Sequence, residues 1–194
     1  MEGSLVKSVG DLHPASIARL CGGVRAGHTV VCLESAGSTN SAAARMAAAG
    51  VPEGTVVVAV RQTAGRGRKS RDWYSSEGGS LVFSLVLRPP RGGETLTALL
   101  ALSALKAIDG VCGGAMIKWP NDIWIGGRKI AGILAESKGW GVVLGMGIDV
   151  NDEQGSFPPG LEETAVSLRM VTGRTFDRGE LLASILGLSL IHIS

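Results

Sequence analysis

"MIKWPNDIWIGGRKIAGILAES", Met116 to Ser137, sets two β-rich runs on either side of Gly126-Gly127. Paired glycines between such runs mark a hairpin, because both turn positions can then take positive φ. Pro120-Asn121-Asp122 supplies a second turn just before it. Downstream, "GVVLGMGIDVN" (Gly141 to Asn151) adds another strand. Upstream, three more runs read as strands: "TVVCLES" from Thr29, the glycine-bounded "GTVVVAVRQ" from Gly54, and "SLVFSLVLRPP" from Ser80, closed by Pro89 and Pro90. Helices fall between them. "STNSAAARMAAAG" can be capped by Ser38, Thr39 or Asn40 and stops at Gly50. Leu96 to Ile108 reads as a buried helix, "LEETAVSLRMVTG" from Leu161 as another, and Asp177-x-x-Glu180 as a capping box opening a last one. Consecutive strands between separated helices predict an α+β domain rather than a regular βαβ repeat.

The chain of 194 residues is long enough for one well-buried core and short for two large domains. Its 45% apolar and 19% charged residues are a globular composition. A net charge of only +2 makes any basic feature local. Cys21, Cys32 and Cys112 show no paired spacing, which argues against a disulfide framework or zinc ribbon and fits a cytoplasmic location. We treat them as small apolar residues. His13, His28 and His192 have no metal-binding spacing. The N-terminus has no signal-peptide core, and Leu96 to Ile108 is short for a bilayer span and contains Lys106, so no membrane partner is expected.

The local basic feature is "RQTAGRGRKSRDW", Arg61 to Trp73. Basic runs are most often solvated surface. Here Gly65 and Gly67 alternate with Arg66 and Arg68, so backbone can approach a ligand while guanidinium forks grip phosphate or carboxylate. Trp73 offers a flat apolar cover beside that charge. No Walker motif is present, nor G-x-G-x-x-G after a strand. Lys118 and Asp122 stand at opposite ends of the Pro120 turn. Lys129 stands at the hairpin mouth, either with its amine in solvent or aimed into a pocket. Asp122 taken alone is as well explained as a turn former.

Together, "GSTN", "RQTAGRGRKSRDWYSSEGGSLVFSLVLRP", "KWPNDIWIGGRKIAGILAE" and "GMGIDVN" resemble the catalytic domain of biotin–protein ligases, in order and approximate spacing. The resemblance runs from Thr29 to the end of the chain. It implies a class II aminoacyl-tRNA synthetase-like fold: a mixed, largely antiparallel sheet, helices packed mainly on one face, and ligand under the Gly65 to Ser80 loop. It implies activation of biotin by ATP as biotinyl-5′-AMP, with magnesium, and transfer to a lysine of a biotin carboxyl carrier protein domain. On the matching positions, Ser38, Thr39 and Gln62 would bond the ureido ring, with Asn40 beside them. Arg66, Gly67 and Arg68 would wrap the biotin carboxylate and the phosphate, and Lys129 would contact the carboxylate and α-phosphate. Trp73 would help close the adenylate site, and Gly132 would let its strand pass close to the ligand. Asn121 and Asp122 would sit near phosphates and magnesium, Asp122 also orienting or deprotonating the carrier lysine.

Two positions depart from the family pattern. Asp149 stands where an asparagine normally faces the adenine side. A carboxylate lacks the amide donor, so weaker adenylate binding is expected. Ser76 stands where proline is common, which predicts a looser loop. The resemblance divides the chain into a lead-in of residues 1–28, a catalytic domain of 29–188 and an atypical tail of 189–194, read as a truncation point before the family's C-terminal domain. The 36 residues before "GSTN" are too few for a winged-helix domain, so no DNA partner is expected. A homodimer stays open, since family members are often dimers. The same fold serves lipoate and octanoate ligases or transferases, and the buried ureido partners would tell them apart. A reading of another class is a non-catalytic nucleic-acid-binding module using Arg61 to Arg71, whose mark would be steep salt dependence.

Overall fold

A computed structural model describes residues 10–22, 26–88 and 94–190. The strand-closing Pro89 and Pro90, His192, and most of the 189–194 tail lie outside the described residues. The chain runs through α1 (Pro14–Leu20), β1 (Val30–Ala36), α2 (Thr39–Ala48) and β2 (Val56–Gln62). Two short strands, β3 (Gly65–Arg66) and β4 (Asp72–Trp73), precede β5 (Ser80–Leu87) and α3 (Glu94–Cys112). Then come β6 (Ala115–Lys118), β7 (Asp122–Ile125), β8 (Arg128–Lys138), β9 (Gly141–Asp149), α4 (Leu168–Thr172) and α5 (Arg178–Leu190).

Seven strands form one sheet in the order β1-β2-β5-β9-β8-β7-β6. Only β1 and β2 are parallel, joined by α2; every other pair is antiparallel. The expected hairpin forms where Gly126 and Gly127 take φ of 55° and 76°, a turn that side chains resist. β3 and β4 make a small separate ribbon that carries the glycine–arginine loop.

Strand alternation sorts the sheet into two faces. Val56, Val58, Leu81, Phe83, Leu85, Leu144, Met146 and Ile148 point to one side, where α1, α3 and α5 cover them. Residues 95–112 of α3 have a mean hydropathy of 1.5, enough for a membrane span by length and composition. Yet Leu96, Leu100, Ala104 and Ile108 lie within this core, as in the interior helix of a folded domain. On the other face, α2 packs Ala43 and Ala47 onto Val57, Ala59, Val82 and Val143. α2 covers part of that face, and the rest holds the site described below.

The sequence predicts a helix over 161–173, but only Leu168–Thr172 is helical. Sheet-like pairing wins upstream of it. Lys129 N–H donates to Thr164 O at 2.7 Å, and Val166 N–H donates to Lys129 O at 2.9 Å. Residues 164–166 are thus drawn alongside β8. The short helix opens where Ser167 Oγ accepts from Met170 N–H at 3.0 Å and closes at Gly173, φ 70°. The predicted cap of α5 forms, with Glu180 N–H donating to Asp177 Oδ1 at 2.8 Å.

Candidate active site

The sheet face beside α2 is floored with glycine. Gly145 and Gly147 alternate on β9, and Gly132 of β8 pairs with Gly147, so all three face the same side. A Cβ at Gly145 would fall on Asn40 Oδ1, and one at Gly147 would fall inside the Trp73 indole. At Gly132 it would come within 3.0 Å of Lys129 Nζ and 3.1 Å of the Trp73 ring. Small size, not backbone freedom, is what these positions require.

At one end of this floor, the N-terminus of α2 meets β2 and β5. Ser38, Thr39 and Asn40 are all buried. Gln62 Oε1 accepts from Thr39 N–H at 2.7 Å and from Thr39 Oγ1 at 3.0 Å. Ser84 Oγ donates to Asn40 Oδ1 at 2.6 Å and lies 2.8 Å from Thr39 Oγ1. Asn40 Nδ2 donates to Glu136 Oε2 at 2.8 Å. The result is a dense, preset array of donors and acceptors.

The cationic groups stand above the floor. Arg66 reaches Glu136 at 3.0 Å and Ser41 at 3.1 Å. Arg68 donates to Asn121 Oδ1 at 3.0 Å. Lys129 Nζ sits 2.9 Å from Asp122 Oδ1 and 5.3 Å from the centroid of the Trp73 ring. Asn121 is fixed by donating to Ile133 O and Asp122 Oδ1, both at 3.1 Å. Arg66 and Arg68 are exposed, like Lys69 and Arg71 of the same basic run, but their guanidinium groups are paired over the cleft with Ser41, Glu136 and Asn121.

Two chambers result. A narrow cleft of about 50 Å³ runs from Ser38, Thr39 and Gln62 past Arg66 to Trp73. Trp73 fills it from above, since a typical ligand pocket measures roughly 300–1,000 Å³. The indole N–H of Trp73 is buried without a partner. Beyond Trp73 and Lys129 opens a cavity of about 470 Å³, lined by Tyr74, Lys118, Asp122, Trp124, Asp149 and Phe157 among others. Lys118 Nζ lies 3.5 Å over the Trp124 ring.

The sequence profile of the biotin/lipoate A/B protein ligase family matches residues 33–151. The chain belongs to this family. Among curated proteins, the bifunctional ligase/repressor BirA of Bacillus spizizenii is 42% identical over 158 residues, covering 77% of this chain and 49% of that protein. A biotin–[acetyl-CoA-carboxylase] ligase of Paracoccus denitrificans is 37% identical over 158 residues, covering 75% of this chain and 65% of its own. The chain spans about half the length of the BirA protein it matches. Among solved structures, the biotin protein ligase from Aquifex aeolicus in complex with biotin and ATP superposes with a TM-score of 0.77 at 33% identity. It covers 85% of this chain, and this chain covers 70% of it.

Every residue to which the resemblance gives a ligand contact lines one of the two chambers. Arg66, Gly67, Arg68, Trp73, Asn121, Lys129 and Gly132 cluster with Ser38, Thr39, Asn40 and Gln62 at the first, while Asp122 and Asp149 face the second. Several contributors were not singled out: Ser84, Glu136, Gly145, Gly147 and Asp152. The glycines carried a signal, since G-x-G within an apolar strand leaves one face bare. Ser84, a lone hydroxyl in "LVFSLV", carried a weaker one. Ser76 reverses its expectation. Its hydroxyl hydrogen-bonds Asp152 Oδ1, and its N–H donates to Ser80 Oγ at 3.1 Å, so it ties the loop down.

Proposed function

We propose that this chain activates the carboxylate of biotin with ATP and passes the biotinyl group to a lysine of a carrier domain in the cytoplasm. The supporting observation is the continuity of the two chambers. A polar, preset recess opens over bare glycine strands toward Lys129, Arg66 and Arg68, and then into a nucleoside-sized cavity. Thr39, Gln62 and Ser38 present both donors and acceptors, which suits a cyclic urea and disfavours a purely aliphatic acid. Arginines held over the cleft by Glu136 and Asn121 suit a small anion bound there better than a polynucleotide backbone.

The chemistry sets two anions against each other, a carboxylate and the α-phosphate it attacks with loss of pyrophosphate; the carrier lysine then attacks the acyl carbon and AMP leaves. Lys129 and Arg68 neutralise the charge that builds on the phosphoryl oxygens and leave its total lower at the transition state. Arg66, released from Glu136, holds the carboxylate in line. Trp73 lifts from Gly132 and Gly147 to admit the ligand and then covers it, excluding water from a hydrolysable mixed anhydride. Asp122 orients the incoming lysine once Lys129 has moved to the phosphate. Magnesium fits this site, since Mg²⁺ commonly takes one carboxylate plus phosphate oxygens and water, and Asp122 offers a part-exposed carboxylate on the cavity wall. Asp122, beside Asn121, would be that carboxylate, and the ion would supply charge neutralisation on the triphosphate.

Pyrophosphate–ATP exchange tests the proposal, run with biotin, lipoate, octanoate and no acid. Exchange that requires biotin supports it; exchange with lipoate instead, or with none, overturns it. A substitution tests the floor. Gly145→Ala puts a methyl on Asn40 Oδ1, and Asn40 cannot swing because Ser84 and Glu136 hold it. Biotin affinity by calorimetry should fall about 100-fold, or roughly 2.8 kcal/mol. An unchanged affinity would remove the glycine floor from the ligand path.

A further inference from the structure

Glu136 of β8 joins the polar recess to the glycine–arginine loop through a single oxygen. Its Oε2 accepts from Asn40 Nδ2 at 2.8 Å and from Arg66 Nη2 at 3.0 Å. Asn40 belongs to the recess, where Ser84 Oγ donates to its Oδ1 at 2.6 Å. Arg66 belongs to the loop, on β3. The side chain of Glu136 is 21% exposed and that of Arg66 47%, so solvent partly screens the pair. Lys138 is a second cation in reach, 4.0 Å from Glu136 Oε1.

A guanidinium has two edges that grip a carboxylate with paired hydrogen bonds, Nε with Nη2 and Nη1 with Nη2. Arg178 uses the first of these on Asp11. Nη2 is common to both edges and carries two hydrogens. In Arg66 it makes two bonds, to Ser41 Oγ at 3.1 Å and to Glu136. A second carboxylate entering the cleft is therefore gripped on either edge only by displacing Ser41 or Glu136. Displacing Ser41 alone leaves two anions around one cation, so Glu136 is the partner that gives way. Loss of Arg66 does not strand it, because Asn40 and Lys138 still face its two oxygens.

We propose that Glu136 competes with the incoming acid for Arg66, standing in for the ligand carboxylate in the empty site and lowering the affinity for it. The inference rests on the ligase reading for the identity of the acid, and deepens it. Glu136 touches neither substrate nor reacting atoms; it is a positioning residue that acts through Arg66. In the empty site it holds the guanidinium over the cleft, so the loop cation is in place before the acid arrives. Exchange of one carboxylate for another keeps that cation paired throughout. The response is also selective, since a ligand without a carboxylate leaves Arg66 on Glu136.

Calorimetric titration with biotin and with biotinol, its alcohol, decides this for the wild type, Glu136→Gln, Arg66→Gln and the double variant. Glutamine keeps an acceptor for Asn40 and removes the charge that competes for Arg66. Glu136→Gln should bind biotin about three- to tenfold more tightly, and biotinol within about twofold of wild type. In the Arg66→Gln background, the same change should shift neither ligand by more than about twofold. Equal changes for biotin and biotinol would overturn the proposal, because Glu136 would then act only by holding Asn40. A gain for biotin that persists without Arg66 would overturn it too, as simple repulsion between two anions. So would unchanged or weaker biotin binding by Glu136→Gln. Failure of the ligase reading shows separately, as a folded wild type that binds neither biotin nor biotinol.

Discussion

Lys129→Met should lower the rate of biotin-dependent pyrophosphate exchange about 10²- to 10³-fold, equivalent to roughly 2.7–4 kcal/mol of transition-state stabilisation. The Lys129 backbone is held on both sides by Thr164 and Val166, which fixes the root of the side chain. Its amine is held by Asp122 at 2.9 Å and by the Trp73 face at 5.3 Å. A cation preset in this way needs little reorganisation when charge develops beside it, and methionine keeps the stem while deleting the charge. The loss should fall on kcat rather than on the KM for biotin, since the polar recess of Ser38, Thr39 and Gln62 lies at the other end of the cleft. Folding should be little affected. The Lys129–Asp122 pair is about a third exposed on the lysine side, and such pairs contribute roughly 0–1 kcal/mol. Urea unfolding serves as the control. A rate within tenfold of wild type would mean that the amine does not face the reacting phosphate.

How Lys129 is held illustrates what the chain discloses before folding. The hairpin that carries it is legible because Gly126-Gly127 allows only one local solution, and the strand runs around it are strongly patterned. The site residues are legible only through their blocks. Alone, Asp122 reads as a turn former and Arg66 as surface. The partners that fix Lys129 were hidden, since Thr164 and Val166 lie in a segment whose local spacing favours helix. Pairing with a strand 35 residues upstream overrode that preference, and no window of local sequence contains the information. Ser84 and Glu136 were hidden for the same reason: each acts on Asn40 from a different strand. The reversal at Ser76 is equally non-local, because its partner Asp152 lies 76 residues away. Patterning thus discloses elements and floors, while buried polar contacts depend on which strands meet.

The second large effect concerns Arg178, and it links stability to the acidic end of the cavity that Asp149 lines. Arg178 is 3% exposed and grips Asp11 through Nε and Nη2 at 2.9 and 2.6 Å, while Nη1 donates to Ser80 O at 3.1 Å. It thereby joins α5, the lead-in before α1 and the first residue of β5. Breaking a buried pair by removing one partner leaves an uncompensated charge, so Arg178→Met should destabilise the fold by about 3–5 kcal/mol in urea. Asp11→Asn with Arg178→Met should cost less than the sum of the two single changes. The pH dependence has two opposed limbs. Burial pushes the Asp11 carboxyl up, but hydrogen bonds and charge from Arg178 outweigh it and hold it below the ordinary 3.8. That contribution is complete above 3.8 and is lost as pH falls through the folded value. Asp149 and Asp152 are raised, so the folded state binds their protons first and gains stability as pH falls through their folded values toward 3.8. Together the three groups place maximum stability in mild acid rather than at neutrality. Asp149→Asn should flatten the neutral limb, and Arg178→Met should remove the fall on the acid side. A wild-type stability that rises steadily from mild acid to neutral pH would mean that Asp149 and Asp152 are ionised in the folded protein.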